Sequence, residues 1–125
     1  MANADTILFI EDEPHLQEEL SAAFVADGYT VKNAYDGDAG IAAAKKEKPD
    51  IILLDLILPK KDGFEVLKTL KEDPETQQIP VIILSNLETA ENVEKAIRLG
   101  AASYLVKPNY EIAHIMQKVK NVLGK

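Results

Sequence analysis

IILLDLILPKKDG, from Ile51 to Gly63, is the stretch around which this chain is built. Ile51–Leu54 is short, wholly apolar and rich in branched side chains, as a strand buried on both faces of a parallel sheet should be. Asp55 follows at once. A carboxylate at the end of so apolar a run is costly unless something outside the core solvates, pairs or coordinates it. Pro59 prevents continuation as a central strand, and Asp62-Gly63 reads as a turn. One acid therefore stands at the carboxyl end of a central strand, the edge at which open α/β sheets bind their ligands. Asp55 is the candidate working residue.

Working outward, Thr6–Ile10 (TILFI) reads as a first buried strand, followed by Glu11-Asp12-Glu13-Pro14. Leu16, Leu20 and Phe24 recur at helical spacing behind Pro14, which suits a first helical turn, and Asp12 or Glu13 is placed to cap it. Asp27-Gly28 ends this helix, and Tyr29–Ala34 reads as a second strand. Asp36-Gly37 reads as a turn into an alanine-rich helix over Asp38–Lys48, whose terminal lysines suit the helix dipole. Beyond Gly63, Phe64–Glu72 predicts a third helix with Phe64, Leu67 and Leu70 inward. Val81–Leu84 (VIIL) is a fourth strand ended by Ser85-Asn86, and Thr89 is a good N-cap. Val93, Ala96 and Ile97 stripe the next helix, with Gly100 beyond its end. Ser103–Val106 is a fifth strand halted by Lys107-Pro108. Ile112, Ile115, Val119 and Val122 mark a last amphipathic helix. Five strands alternating with five helices over short connections predict an α/β, doubly wound, five-stranded parallel sheet.

Length and composition agree with one domain over residues 1–125, with 46% hydrophobic residues to fill a core and no cysteine for disulfide or thiol chemistry. No apolar run approaches membrane-spanning length, which leads us to expect a cytoplasmic protein without a membrane partner. The formal net charge of −7 speaks against direct nucleic-acid binding, which needs a positive footprint.

In a parallel sheet the polar residues at the strand ends share one edge. They are Glu11 and Asp12 after the first strand, Asp55 after the third, Ser85 after the fourth and Lys107 after the fifth. Three converging carboxylates repel one another, and a divalent cation offsets that repulsion. Oxygen-only donors favour a hard ion such as Mg²⁺. Lysine and serine nearby suit phosphoryl oxygens. An aspartate with a metal ion, a lysine and a hydroxyl is equipped to accept a phosphoryl group as an acyl phosphate. His15 and His114 have no metal-ligand company and read as helix surface.

These residues resemble the receiver domains of two-component response regulators, chemotaxis-regulator-like and single-domain, over the whole chain. The matching pieces are Glu11-Asp12, Asp55…Leu58-Pro59…Asp62-Gly63, Ser85, and Tyr104…Lys107-Pro108. The resemblance implies a flavodoxin-like strand order 2-1-3-4-5 and makes Asp55 the phosphoacceptor. It implies Mg²⁺ held by Asp12, Asp55 and the backbone carbonyl of Ile57, with Glu11 acting mainly through water. Lys107 is expected to ion-pair with the phosphoryl group, Ser85 to hydrogen-bond it, and Tyr104 to act as the aromatic switch. The implied partners are a sensor histidine kinase or a histidine phosphotransfer protein upstream, and a protein bound through the region from Glu88 to Lys120 downstream. The oligomeric state would be a monomer or a phosphorylation-dependent dimer. The only catalysis expected is on the chain itself. Asn86 departs from the pattern, since alanine or glycine is usual after the hydroxyl residue.

Three other readings compete. The chain is equally readable as a receiver cut from a larger regulator or hybrid kinase. An aspartyl-phosphate phosphatase usually carries its nucleophile on the first strand with a second acid two residues on, whereas here the lone acid is on the third. A flavodoxin-like nucleotide binder needs a phosphate loop after the first strand, where Glu11-Asp12-Glu13 would repel phosphate.

Overall fold

The computed structural model describes residues 5–56, 58–59, 61–85, 90–106 and 112–124. Its elements alternate as β1 (Thr6–Ile10), α1 (Pro14–Ala26), β2 (Thr30–Ala34), α2 (Gly37–Glu47), β3 (Ile51–Asp55), α3 (Gly63–Glu72), β4 (Val81–Ser85), α4 (Ala90–Arg98), β5 (Ser103–Val106) and α5 (Ile112–Leu123). The strands form one sheet in the order β2-β1-β3-β4-β5, and every pairing is parallel. The five-plus-five pattern is as the sequence predicts, and the strand order is the one the family resemblance implies.

Alternation along the strands divides the core in two. Leu8, Ile10, Ile52, Leu54, Val81 and Ile83 face Ala44 of α2, Val66, Leu67 and Leu70 of α3, and Ala96 of α4. Ile7, Phe9, Ile51, Leu53, Ile82 and Leu84 face Leu20 and Phe24 of α1 and Ile115 and Val119 of α5. With helices on both faces, β3 and β4 are buried along their whole length. That is why their sequences show continuous apolar runs and not alternation.

Several local expectations change in detail. Asp36 is not in a free turn. Its carboxylate accepts from the Ala39 amide at 2.8 Å as the N-cap of α2, which therefore starts at Gly37. Lys48 lies beyond that helix as its C-cap, with φ of 47°. Tyr29 precedes β2, its ring packed edge-on against Phe24 with centroids 5.6 Å apart. Glu13 occupies the N-cap of α1 but makes no side-chain cap bond; Pro14 supplies the helical start.

Asp62-Gly63 is also more than a turn. The Asp62 carboxylate accepts from the Glu65 amide at 3.0 Å, capping α3, and Gly63 is the first residue of that helix. The helix then buries Gly63, Val66, Leu67 and Leu70. Phe64 lies at the edge of this stripe, half-buried beneath the Lys95 ammonium, which sits 4.3 Å from its ring centroid. Residues 63, 66, 67 and 70 share one face at helical spacing, so Val66 joins the expected Leu67 and Leu70 inside, and Phe64 packs against the same core from the side. The expected Thr89 cap lies outside the described residues.

Candidate functional site

Register sets the site. Ile10 is level with Leu54 across the β1–β3 pair, so Glu11, just past β1, falls beside Asp55, the last residue of β3. Asp55 is level with Leu84 of β4, which Ser85 follows. Ser85 is in turn level with Val106 of β5. Three neighbouring strands thus carry polar groups at one edge of an otherwise apolar sheet.

The side chains converge as the sequence predicts for three of these residues. One carboxylate oxygen from each of Glu11, Asp12 and Asp55 lies within 4.8 Å of the others. Glu11 and Asp55 are buried, at 1% and 6% exposure, whereas Asp12 is open to solvent. Two oxygens bound to one Mg²⁺ are separated by at most about 4.2 Å, so small side-chain movements bring this set onto a single ion. All-oxygen donors and their concentrated negative charge suit a hard divalent cation, so the residues fit the metal the sequence implies.

Ser85 is fully buried. Its hydroxyl is hydrogen-bonded with the Tyr104 phenol, so the serine and the aromatic residue already communicate. Tyr104 is half-buried against the α2, α3 and α4 face of the core. Burial pushes its phenol up, the Ser85 hydrogen bond opposes this, and the negative charge of Asp55 adds to it. The Tyr104 ring is thus electrostatically coupled to the candidate acceptor. Ile57 and Lys107 lie outside the described residues, as does Asn86.

Of two further residues here, Gly63 reads in the sequence only as part of a turn and motif, and Gln17 is missed there. Gly63 donates its amide to the Leu56 carbonyl at 2.8 Å and brings the start of α3 against the backbone of Asp55 and Leu56. Gln17 is buried at 1% exposure and donates to backbone carbonyls at the exits of β1 and β2. Its signal is present in retrospect. Gln17 is three residues before Leu20 and seven before Phe24, on the buried face of α1, where a polar side chain is out of place.

The chain matches the response regulator receiver domain family over residues 7–120. It is 38% identical to the DNA-binding dual master transcriptional regulator RpaA of Synechocystis sp., over 95% of this chain and 49% of that protein. It is 37% identical to protein PilH of Pseudomonas aeruginosa, over 82% of this chain and 84% of that protein. The chain therefore spans about half the length of RpaA but most of that of PilH. Its fold superimposes with a TM-score of 0.88, at 26% identity, on the receiver domain of a Pseudomonas aeruginosa sensor histidine kinase, covering 98% of this chain and 100% of that one. That structure has a magnesium ion coordinated in its active-site cleft. Among the described residues of the present chain, no helix is long and apolar enough to cross a membrane. A match running over residues 7–120, through all five strands, places this chain in the response regulator receiver domain family of two-component signalling.

Proposed function

We propose that this chain is a phosphoacceptor module in which Asp55 takes a phosphoryl group, in a Mg²⁺-dependent step, from a phosphohistidine on a sensor histidine kinase or histidine phosphotransfer protein. The observation that carries this reading is the Asp55 carboxylate, buried at the exit of β3 with ligand oxygens of Glu11 and Asp12 within 4.8 Å. The acceptor oxygen of Asp55 attacks phosphorus in line with the donor imidazole. A phosphorus–oxygen bond forms as the phosphorus–nitrogen bond breaks, and the imidazole nitrogen keeps the electron pair. An Mg²⁺ ion held beside Asp55 would supply charge neutralisation for the transferred phosphoryl group. Asp12, Asp55 and the Ile57 carbonyl would hold that ion, with Glu11 acting through water. Lys107 would ion-pair with a phosphoryl oxygen, and Ser85 would hydrogen-bond another.

Residues 1–125 act in this reading as one receiver unit, alone through a protein partner or as part of a longer regulator. Incubation with acetyl phosphate and Mg²⁺, followed by intact mass, tests the proposal. One added phosphoryl group is expected, and none in chelator. An unmodified protein under conditions that preserve the fold would refute it.

The roles of the two leading acids separate experimentally. Asp12→Ala should weaken Mg²⁺ binding more than Glu11→Ala, because the exposed Asp12 would be the direct ligand and the buried Glu11 would act through water. In chelator, Asp12→Ala should also melt above wild type, since one of three crowded charges is gone. Added Mg²⁺ should raise the wild-type melting temperature by mass action. Equal losses of Mg²⁺ affinity in the two variants would reject the division of labour.

Output would follow from the Ser85–Tyr104 contact. A phosphoryl group on Asp55 competes for the Ser85 hydroxyl, which frees Tyr104 to change its packing and shifts a two-state equilibrium. The surface expected to respond is the region from Glu88 to Lys120. Amide exchange with and without beryllofluoride should change on α4, β5 and α5. Changes confined to α1 and α2 would locate the output elsewhere.

A further inference from the structure

The acid pair that would hold the metal sits on the loop leaving β1, and such a loop needs something to fix it. The structure provides one buried amide for this. Gln17 Nε2 donates to the carbonyl oxygens of Phe9 at 2.9 Å, Glu11 at 3.0 Å and Ala34 at 2.9 Å. The Ala34 carbonyl also accepts the Glu11 amide, at 3.0 Å. Gln17 therefore touches Glu11 through its carbonyl, and through Ala34 it touches the acceptor of the Glu11 amide. Three carbonyls around one nitrogen leave no ambiguity about which end of the amide faces them. With two hydrogens for three acceptors, one hydrogen is shared.

The other end of the amide is also held. Gln17 Oε1 accepts from Asn33 Nδ2, and Asn33 Nδ2 donates as well to Ser21 Oγ at 3.0 Å. Ser21, Asn33 and Gln17 thus form a chain from the surface of α1 and β2 to the backbone beneath the acids. Asn33 itself is exposed. A hydrophobic residue would fill this place in α1 without difficulty, and a buried amide is costly unless its bonds are worth making.

We propose that Gln17 is a positioning residue of the metal centre: it fixes the backbone at Glu11, and with it the place of the Glu11 and Asp12 carboxylates relative to Asp55. The inference rests on the reading of the acids as a Mg²⁺ site. Outer groups that orient metal ligands are worth about ten- to a hundredfold in metal affinity where they have been removed.

The test is a Mg²⁺ titration by calorimetry, with melting in chelator measured alongside. Gln17→Met, of similar shape but without donors, should weaken Mg²⁺ binding about tenfold and shrink the rise in melting temperature that Mg²⁺ produces. Asn33→Ala lies on the surface and releases only the far end of the amide, so it should weaken binding by a smaller factor with the fold intact. Thr76→Ala is the control for mere loss of stability. Thr76 is as buried as Gln17, and its hydroxyl donates to the Leu70 carbonyl at 2.6 Å, in the connection before β4. It should melt lower and bind Mg²⁺ as wild type does. Wild-type affinity in Gln17→Met, or an equal loss in Thr76→Ala, would overturn the inference. If Gln17→Met does not fold, Asn33→Ala decides, and wild-type affinity there overturns it. A wild-type protein that binds no Mg²⁺ would refute the metal centre itself, and this role with it.

Discussion

Asp55→Asn is expected to abolish phosphoryl transfer from acetyl phosphate while leaving the fold intact and more stable in chelator. The substitution removes the attacking oxygen anion and changes almost nothing in shape. An amide is too weak a nucleophile to replace it. A fall of at least a thousandfold corresponds to about 4 kcal/mol in the barrier. Stability should move the other way, because Asp55 is a buried charge beside two further carboxylates. Its neutral near-isostere relieves that repulsion, most visibly when Mg²⁺ is absent. Intact mass after donor incubation and a thermal melt in chelator read both effects. Modification of the variant at the wild-type level would show that Asp55 is not the acceptor.

The sheet was legible because burial on both faces imposes a pattern that local propensity alone does not. ILFI, IILLD and VIILS leave no room for a solvent-facing residue, and all three strands are central. β2 is an edge strand with exposed Thr30, Lys32 and Asn33, so its pattern is weaker and its start was placed one residue early, at Tyr29. Helix boundaries failed where a side chain does two jobs. Asp36 and Asp62 look like turn residues, and each caps a helix through its carboxylate. Only the fold shows which amide each side chain reaches.

The acids of the site were legible for a related reason, since a charge placed directly after a buried strand has no structural excuse. Glu11 and Asp55 satisfy that test, and the structure brings both together with Asp12. What supports them was not legible. Gln17 acts through backbone carbonyls of Phe9, Glu11 and Ala34, and the last of these lies 17 residues away on another strand. A polar residue inside an apolar stripe was the only trace. Ser85 stands out as a strand-end hydroxyl and Tyr104 only through the family resemblance, whereas their hydrogen bond belongs to the folded chain.

Gly63→Ala should be among the most damaging single substitutions outside the acids, although it adds one methyl group. A Cβ at this position would lie 2.4 Å from the Cα of Leu56, 2.5 Å from the Asp55 carbonyl oxygen and 3.0 Å from the Leu56 carbonyl carbon. All three are backbone atoms, so no rotamer change relieves the overlap. Alanine gains at most about 1 kcal/mol over glycine in a helix, a ceiling for the first helical position that Gly63 holds. Overpacking against an immovable neighbour costs about 3 kcal/mol or more, so the clash outweighs the gain. A net loss of about 2 kcal/mol lowers the melting temperature of a domain this size by about 8 °C. Function should suffer beyond stability. Either α3 lifts and breaks the bond from the Gly63 amide to the Leu56 carbonyl, or the exit of β3 shifts and carries Asp55 with it. A displacement near 1 Å at a reacting group costs as much as about a hundredfold in rate. Folded Gly63→Ala, held well below its melting temperature, should therefore accept phosphoryl groups at least about tenfold more slowly than wild type. A variant that melts with wild type and is phosphorylated at the wild-type rate would show that β3 and α3 do not meet this closely.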